Sequence, residues 1–342
     1  MTPKPVRVSV FGKTDVGRTR DHNEDTFLVA DLSTKKASLL PEVREHTVGP
    51  RGSFFMVADG MGGAAAGEVA SAMAADLIYQ HLSTAWVNDH DASAQRFAFR
   101  MKEAVEVANQ KIHQYTKDHP EVRGMGTTLT AAGVFGGDLY LTQIGDSRGY
   151  LIRQGQAIQL TKDQSLMQRL VDAGELTEEE AEVSERRNII LQALGPDPRV
   201  RVDLTYQPLR RGDVLVLCSD GLSGQVKKDE IAKIATEHAT DLGGLCSALI
   251  DLANERGGPD NITAIAVRFD GEALQAPGGD DDAIGHQVYP LQEGESTTEP
   301  VPVYRGSAAP TPKGEVRGRF VTIGLIIALV LGIALAYAEW AH

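Results

Sequence analysis

The chain has 342 residues, 42% of them hydrophobic and 24% charged, with a formal net charge of -13 at pH 7. That length allows two domains or one large domain with a tail, and the acidic balance argues against nucleic acid as the partner. The two cysteines, Cys218 and Cys246, stand outside any C-x-x-C pair, which argues against a zinc ribbon or disulfide framework and suits a reducing compartment.

The opening MTPKPVRVSVFG holds no apolar stretch long enough for a secretory signal, so the main domain is expected to stay where it is made. Apolar or alternating runs predict strands at 6–11, 26–30 and 54–58. Next comes MVADGMGGAAAGEVAS, an apolar strand, a burst of glycine, and small residues opening a helix. It matches the dinucleotide pattern as Gly60-x-Gly62-x-x-Ala65. Asp59 would repel a phosphate there, and no second strand ends in an acidic residue about 20 residues on.

Helical spacing runs through Val69, Met73 and Leu77, then through Phe97, Met101, Val105, Ala108, Ile112 and Tyr115. Strands are predicted at 128–135, 139–144 and 150–153, with FGGDL and RQGQA supplying hairpin turns. A helical zone covers 164–187, a strand 214–218, a further helical zone 228–255 and a strand 262–269. Clustered strands and paired helices do not fit one-by-one β/α alternation; they predict antiparallel sheets flanked by helices.

From 271 to 318 the composition turns to Gly, Pro, Asp, Glu, Ser and Thr and is expected to form a flexible linker. The apolar run 320–338 is about the ~20 residues that a bilayer-spanning helix needs. Lys313, Arg317 and Arg319 precede it, so the positive-inside bias places the N-terminal part in the cytoplasm. The expected organisation is a folded domain at 5–270, a linker at 271–318 and a transmembrane helix at 319–339, in a single-pass protein of the inner or plasma membrane.

Four carboxylates share one local grammar: Asp59, Asp146 and Asp220 each close an apolar strand, and Asp260 stands just ahead of another. Each has a turn-forming or small neighbour, as where backbone must approach a bound ion. Singly, each reads as a turn residue or helix cap. Together at one rim they would repel one another and need cations, and oxygen-only ligation selects hard ions such as Mg²⁺ or Mn²⁺.

The segments TDVGRTRDHNEDTFLV, FFMVADGMGGAAAGEVAS, GMGTTLTAAGVF, IGDSRGYLI, LTKDQSLMQRLVDAGELTEEEAE, DVLVLCSDGLSG and GGPDNITAIAV resemble, in order, the motifs of the metal-dependent PP2C-type (PPM) protein serine/threonine phosphatases in their bacterial form. The resemblance covers about residues 8–269. It implies an α+β fold, a four-layer αββα sandwich of two central antiparallel sheets flanked by helix pairs, with the metal site at one end. It implies that Asp59 bridges two metals with the Gly60 carbonyl as a further ligand. Asp220 and Asp260 then complete one shell, Glu24 orients a water, Asp25 supports the ligands, and Asp146 with Asp220 holds a third ion. Arg20 takes the place of the phosphate-holding arginine, whose planar fork suits phosphate oxygens. The implied chemistry is direct attack of a dimetal-activated water on phosphoserine or phosphothreonine, without a phosphoenzyme.

Two departures from the family pattern stand out. Met61 follows the DG motif where animal members commonly carry His, which leaves the proton donor open; His22 and a water are the candidates. Residues 161–187 correspond to the flap beside the site, and EVSERRN replaces its usual ending. The partners implied are phosphorylated Ser/Thr proteins and an opposing serine/threonine kinase, and the membrane through the C-terminal helix. The alternative on the same fold is a catalytically silent phosphoprotein-binding module.

Overall fold

The computed structural model describes residues 5–42, 44–62, 66–278 and 284–291. The strands are β1 (Arg7–Asp15), β2 (Asp25–Asp31), β3 (Lys36–Ser38), β4 (Arg44–Thr47), β5 (Ser53–Met61), β6 (Gly126–Thr127), β7 (Leu129–Phe135), β8 (Asp138–Ile144), β9 (Arg148–Arg153), β10 (Gln156–Gln159), β11 (Asp203–Pro208), β12 (Val214–Cys218) and β13 (Ile262–Asp270). The α-helices are α1 (Ala66–His81), α2 (Ala94–Asp118), α3 (Leu166–Asp172), α4 (Glu178–Glu182), α5 (Asp220–Ser223), α6 (Lys228–Glu237) and α7 (Leu242–Glu255). One sheet runs β10-β9-β12-β13-β1-β4 and the other β11-β8-β7-β5-β2-β3, with β6 paired to β5.

Side-chain alternation explains the layering. Along β5, Phe55 and Val57 face the space between the sheets while Phe54, Met56 and Ala58 face α1 and α2. Along β13, Ile265, Val267 and Phe269 fill the inter-sheet core while Ile262, Ala264 and Ala266 face α6 and α7. Both faces of each central strand are thus apolar, as strands covered on both sides require. The order helix pair, sheet, sheet, helix pair is the expected αββα sandwich. On one side α1 buries the small residues Ala70 and Ala74 in the same core as Met56 and Ala58 of β5.

Both expected hairpins form, β7 with β8 and β9 with β10. The helical zone at 164–187 is two short helices, α3 and α4, because Gly174 at φ 72° ends the first. The zone at 228–255 likewise breaks into α6 and α7 around Asp241, whose side chain caps α7 by accepting from the Gly244 amide at 2.9 Å.

Residues 284–291, within the stretch read from composition as linker, lie along the edge strand β11. The Tyr206 amide donates to the Gln287 carbonyl and the Tyr289 amide to the Leu204 carbonyl, both at 2.9 Å. The Tyr289 ring packs edge-on against Tyr140 and Tyr206, whose aromatic faces the composition argument did not weigh. The remainder of the linker from 292 and the apolar run at 319–339 lie outside the described residues. Among the described residues, no helix is long and apolar enough to cross a membrane.

Candidate metal centre

The antiparallel pairings bring the acidic strand ends to one rim. Asp25 opens β2 directly opposite Asp59 near the end of β5. In the other sheet, Cys218 at the end of β12 pairs with both Arg148 and Ala264, so Asp146, Asp220 and Asp260 flank neighbouring positions. Glycine permits the close approach at this rim: a Cβ on Gly60 would lie 2.2 Å from the Gly67 carbonyl oxygen and 2.6 Å from that of Glu24.

Burial and like charge dominate the electrostatics. Asp59 is pushed well above the usual carboxylate range, first by burial and then by Asp25, Asp220 and Asp146. Asp220 is raised by burial and by Asp260. Burial takes Asp146 up to about 8, with Asp220 and Asp163 adding to it and Arg148 opposing. Burial likewise takes Asp25 up to about 7, against hydrogen bonds donated to its Oδ2 by Ser219 and Thr263, each at 2.7 Å. The arrangement is unfavourable for four or five anions and becomes favourable only when protons or cations enter.

Two buried carboxylate oxygens of this cluster are orphaned. Asp25 Oδ1 and Asp146 Oδ1 are buried and have no hydrogen-bond partner among the described residues. Buried carboxylate oxygens without donors are costly unless an ion takes them up. The donor set is all oxygen, which suits Mg²⁺ or Mn²⁺. The carboxylates raise one another's pKa without closing, among the described residues, into a ready group of three or more metal-ligating side chains.

The site residues expected from sequence, Arg20, Glu24, Asp59, Gly60, Asp146, Asp220 and Asp260, lie near one another at this rim. Arg20 Nη2 donates to Asp260 Oδ2 at 2.8 Å, and the charges of Asp260, Glu24 and Asp59 all favour its guanidinium. Glu24 is anchored by its backbone: its amide donates to Asn261 Oδ1 at 2.8 Å, and its carbonyl accepts from Ser71 Oγ at 2.6 Å and from the Gly60 amide at 3.2 Å. His22 Nε2 and Glu24 Oε1 lie 3.1 Å apart. Residues 161–187 sit beside the cluster, where Arg148 forks onto Asp163 at 2.7–3.1 Å. A cleft of about 500 Å³ opens there, lined in part by Lys162, Gln164, Gln168 and Arg201.

Several supporting residues escaped the sequence reading. Asn261 donates to the carbonyls of Val16 and His22 at 2.9 and 3.0 Å while accepting from the Glu24 amide, so one side chain shapes the loop that carries Arg20. Thr128 Oγ1 accepts from the Asp59 amide at 3.1 Å and shares a 2.8 Å hydrogen bond with Ser147 Oγ. Their signal in the sequence is faint: a polar residue directly after Asp260 or Asp146, or opening a buried strand.

Comparison with known proteins identifies the family. The profile of the family described as Protein phosphatase 2C matches residues 43–247. A serine/threonine phosphatase, stp, from Listeria innocua is 37% identical over 256 residues, covering 75% of this chain and 93% of that protein. The crystal structure of the Mycobacterium tuberculosis serine/threonine phosphatase PstP/Ppp superposes with a TM-score of 0.64 at 34% identity, covering 77% of this chain and 99% of that one. A PstP catalytic domain in complex with two manganese ions gives a TM-score of 0.63 at 33% identity, over 78% of this chain and 99% of that one.

Proposed function

The chain belongs to the protein phosphatase 2C family and is a metal-dependent protein serine/threonine phosphatase, and from that premise we propose which residues do the work. Asp59, Asp220 and Asp260, with the Gly60 carbonyl, hold two divalent ions; Glu24 orients a water toward them; Arg20 receives the phosphate. Asp146 and Asp220 hold a third ion. The observation that carries this assignment is the buried like-charge cluster of Asp59, Asp146, Asp220 and Asp260, with an orphaned oxygen on Asp146.

When bound, a pair of Mg²⁺ or Mn²⁺ ions supplies an acidified water and offsets charge during in-line displacement at phosphorus. The protein's own groups supply the rest. Arg20 stands half-exposed at the mouth, where its guanidinium can present two parallel donors to phosphoryl oxygens. Glu24 is held by three backbone hydrogen bonds, and its carboxylate, with His22 Nε2 3.1 Å from Oε1, keeps an oxygen to accept a proton or align a water. Asp25 is gripped through its Oδ2 by Ser219 and Thr263 and sits fixed beside Asp59. No cysteine takes part: burial pushes both thiols up to about 12, so neither is a nucleophile at neutral pH.

The substrates read as cytoplasmic proteins carrying phosphoserine or phosphothreonine, and the partner as the serine/threonine kinase that installs those groups. The apolar run 320–338 supports a single-pass anchor in the inner or plasma membrane with the phosphatase domain on the cytoplasmic side, on its apolar length and the preceding Lys313, Arg317 and Arg319. Hydrolysis of a phosphothreonine peptide by the full-length chain, with Mn²⁺ and with chelator, tests the centre. Release of phosphate that is indifferent to chelator overturns it. Recovery of the full-length chain wholly in the soluble fraction overturns the anchor.

A further inference from the structure

The turn that carries Asp146 is held from beneath by carboxamides. Gly145 sits at φ 94°, and a Cβ there would lie 2.7 Å from Thr128 Cγ2, so the turn has one tight path. Its amide donates to Gln164 Oε1 at 3.1 Å. Its carbonyl accepts from the Gln164 amide at 2.8 Å and from Gln143 Nε2 at 3.0 Å. Gln143 Nε2 also donates to the Ser147 carbonyl at 2.8 Å, so the residues on both sides of Asp146 are tied down.

Gln164 has a second set of contacts. It is buried, at 7% exposure, where the chain leaves the sheet for the flap. Its carbonyl accepts from the Leu191 amide at 2.8 Å, where the flap returns. Its Nε2 donates to the Arg201 carbonyl at 3.2 Å. One residue therefore touches the Asp146 turn and both limbs of the flap.

We propose that Gln164 is a positioning residue that holds Asp146 for the third divalent ion and ties occupancy of that ion to the arrangement of residues 165–191. The inference rests on the assignment of Asp146 and Asp220 to that ion. Asp146 Oδ1 has no hydrogen-bond partner among the described residues, so the direction of the carboxylate is set by its backbone. Removing the Gln164 side chain leaves the buried Gly145 amide without its acceptor, and the turn must shift to satisfy it. Outer-shell partners of this kind change metal affinity by about 10- to 100-fold. Coupling runs both ways: an ion that needs the clamp also steadies the flap.

The test is Mn²⁺ titration calorimetry on the full-length wild type and on Gln164→Leu, Gln164→Met, Asp146→Asn and Gln168→Ala, with amide exchange across 165–191 followed with and without Mn²⁺. Gln168 is the control, bonded to Asp172 at 3.0 Å on the flap surface. Asp146→Asn should abolish the weakest class of Mn²⁺ binding. Both Gln164 variants should weaken that class about 10- to 100-fold and leave the tighter sites within about twofold. The slowing of flap exchange on Mn²⁺ addition, expected in wild type and Gln168→Ala, should vanish in Gln164→Leu. Met keeps the unbranched length of Gln, so the test does not depend on Leu being tolerated.

If Asp146→Asn binds Mn²⁺ as wild type does, the third-ion assignment fails and the role of Gln164 with it. If Asp146→Asn loses the weak class while both Gln164 variants keep it, only the role of Gln164 fails. Flap slowing that survives in Gln164→Leu overturns the coupling.

Discussion

Strands β9 and β12 carry buried charge at both ends, with opposite outcomes. At one end Arg153 forks onto Asp213, Nε to Oδ1 at 2.9 Å and Nη2 to Oδ2 at 2.7 Å, and the Arg210 amide donates to Asp213 Oδ2 at 2.7 Å. The side chains are 4% and 1% exposed, and Arg153 Nη2 also donates to the Pro208 carbonyl at 2.9 Å. At the other end Asp146 and Asp220 meet further carboxylates, and Asp146 Oδ1 has no donor among the described residues. The first end is complete as folded. The second leaves buried charge incompletely opposed within the chain, and that difference separates a structural ion pair from a site fitted to bind cations.

The sharpest break of this comparison is Asp220→Asn. Loss of the proposed shared cation ligand should cut kcat/KM for a phosphothreonine peptide about 10⁴-fold, roughly 5 kcal/mol, while the melting temperature without metal stays or rises. Asp213→Asn should do the reverse. Chemical denaturation should show a loss of about 3–4 kcal/mol, because Arg153 is left buried without its carboxylate, and activity per folded molecule should hold.

The pH dependence of metal-free stability distinguishes the two ends further. Asp25 and Asp146 hold protons in the folded state up to about 7 and about 8, whereas an unfolded Asp releases them near 4. Metal-free stability should therefore be greatest below about pH 4 on this account and fall as pH rises through 7 to 8, while saturating Mn²⁺, which favours the ionised forms, flattens or inverts that slope. Thermal melts across pH 5–8.5 with and without Mn²⁺ read it directly. A metal-free melting temperature that rises with pH across that window would falsify the electrostatic account of the rim. The smallest effect is expected at the mouth: Arg20→Lys keeps the charge but loses the planar fork, and KM should rise about tenfold with kcat changed less.

Much of this was legible beforehand because it is written locally. The runs at 54–58, 214–218 and 262–269 became β5, β12 and β13, and the Asp residues at their ends stood out because a charge breaks an apolar run. What escaped lacks local contrast. β4 reads REHT and pairs only because β1 offers an edge; β11 alternates weakly and is short. Gln164 and Asn261 look like ordinary polar residues until the turn and the loop they grip arrive from 19 and more than 230 residues away.

The sequence by itself determined that apolar strands would end in carboxylates, because burial pattern and charge are properties of neighbouring residues. Whether those carboxylates would meet depended on which strand pairs with which, and in which register. Only the antiparallel order that sets β12 between β9 and β13, and β5 beside β2, carries the acids to one rim. Like charges never gather by their own attraction; the two apolar faces of each sheet supply the free energy that holds them together.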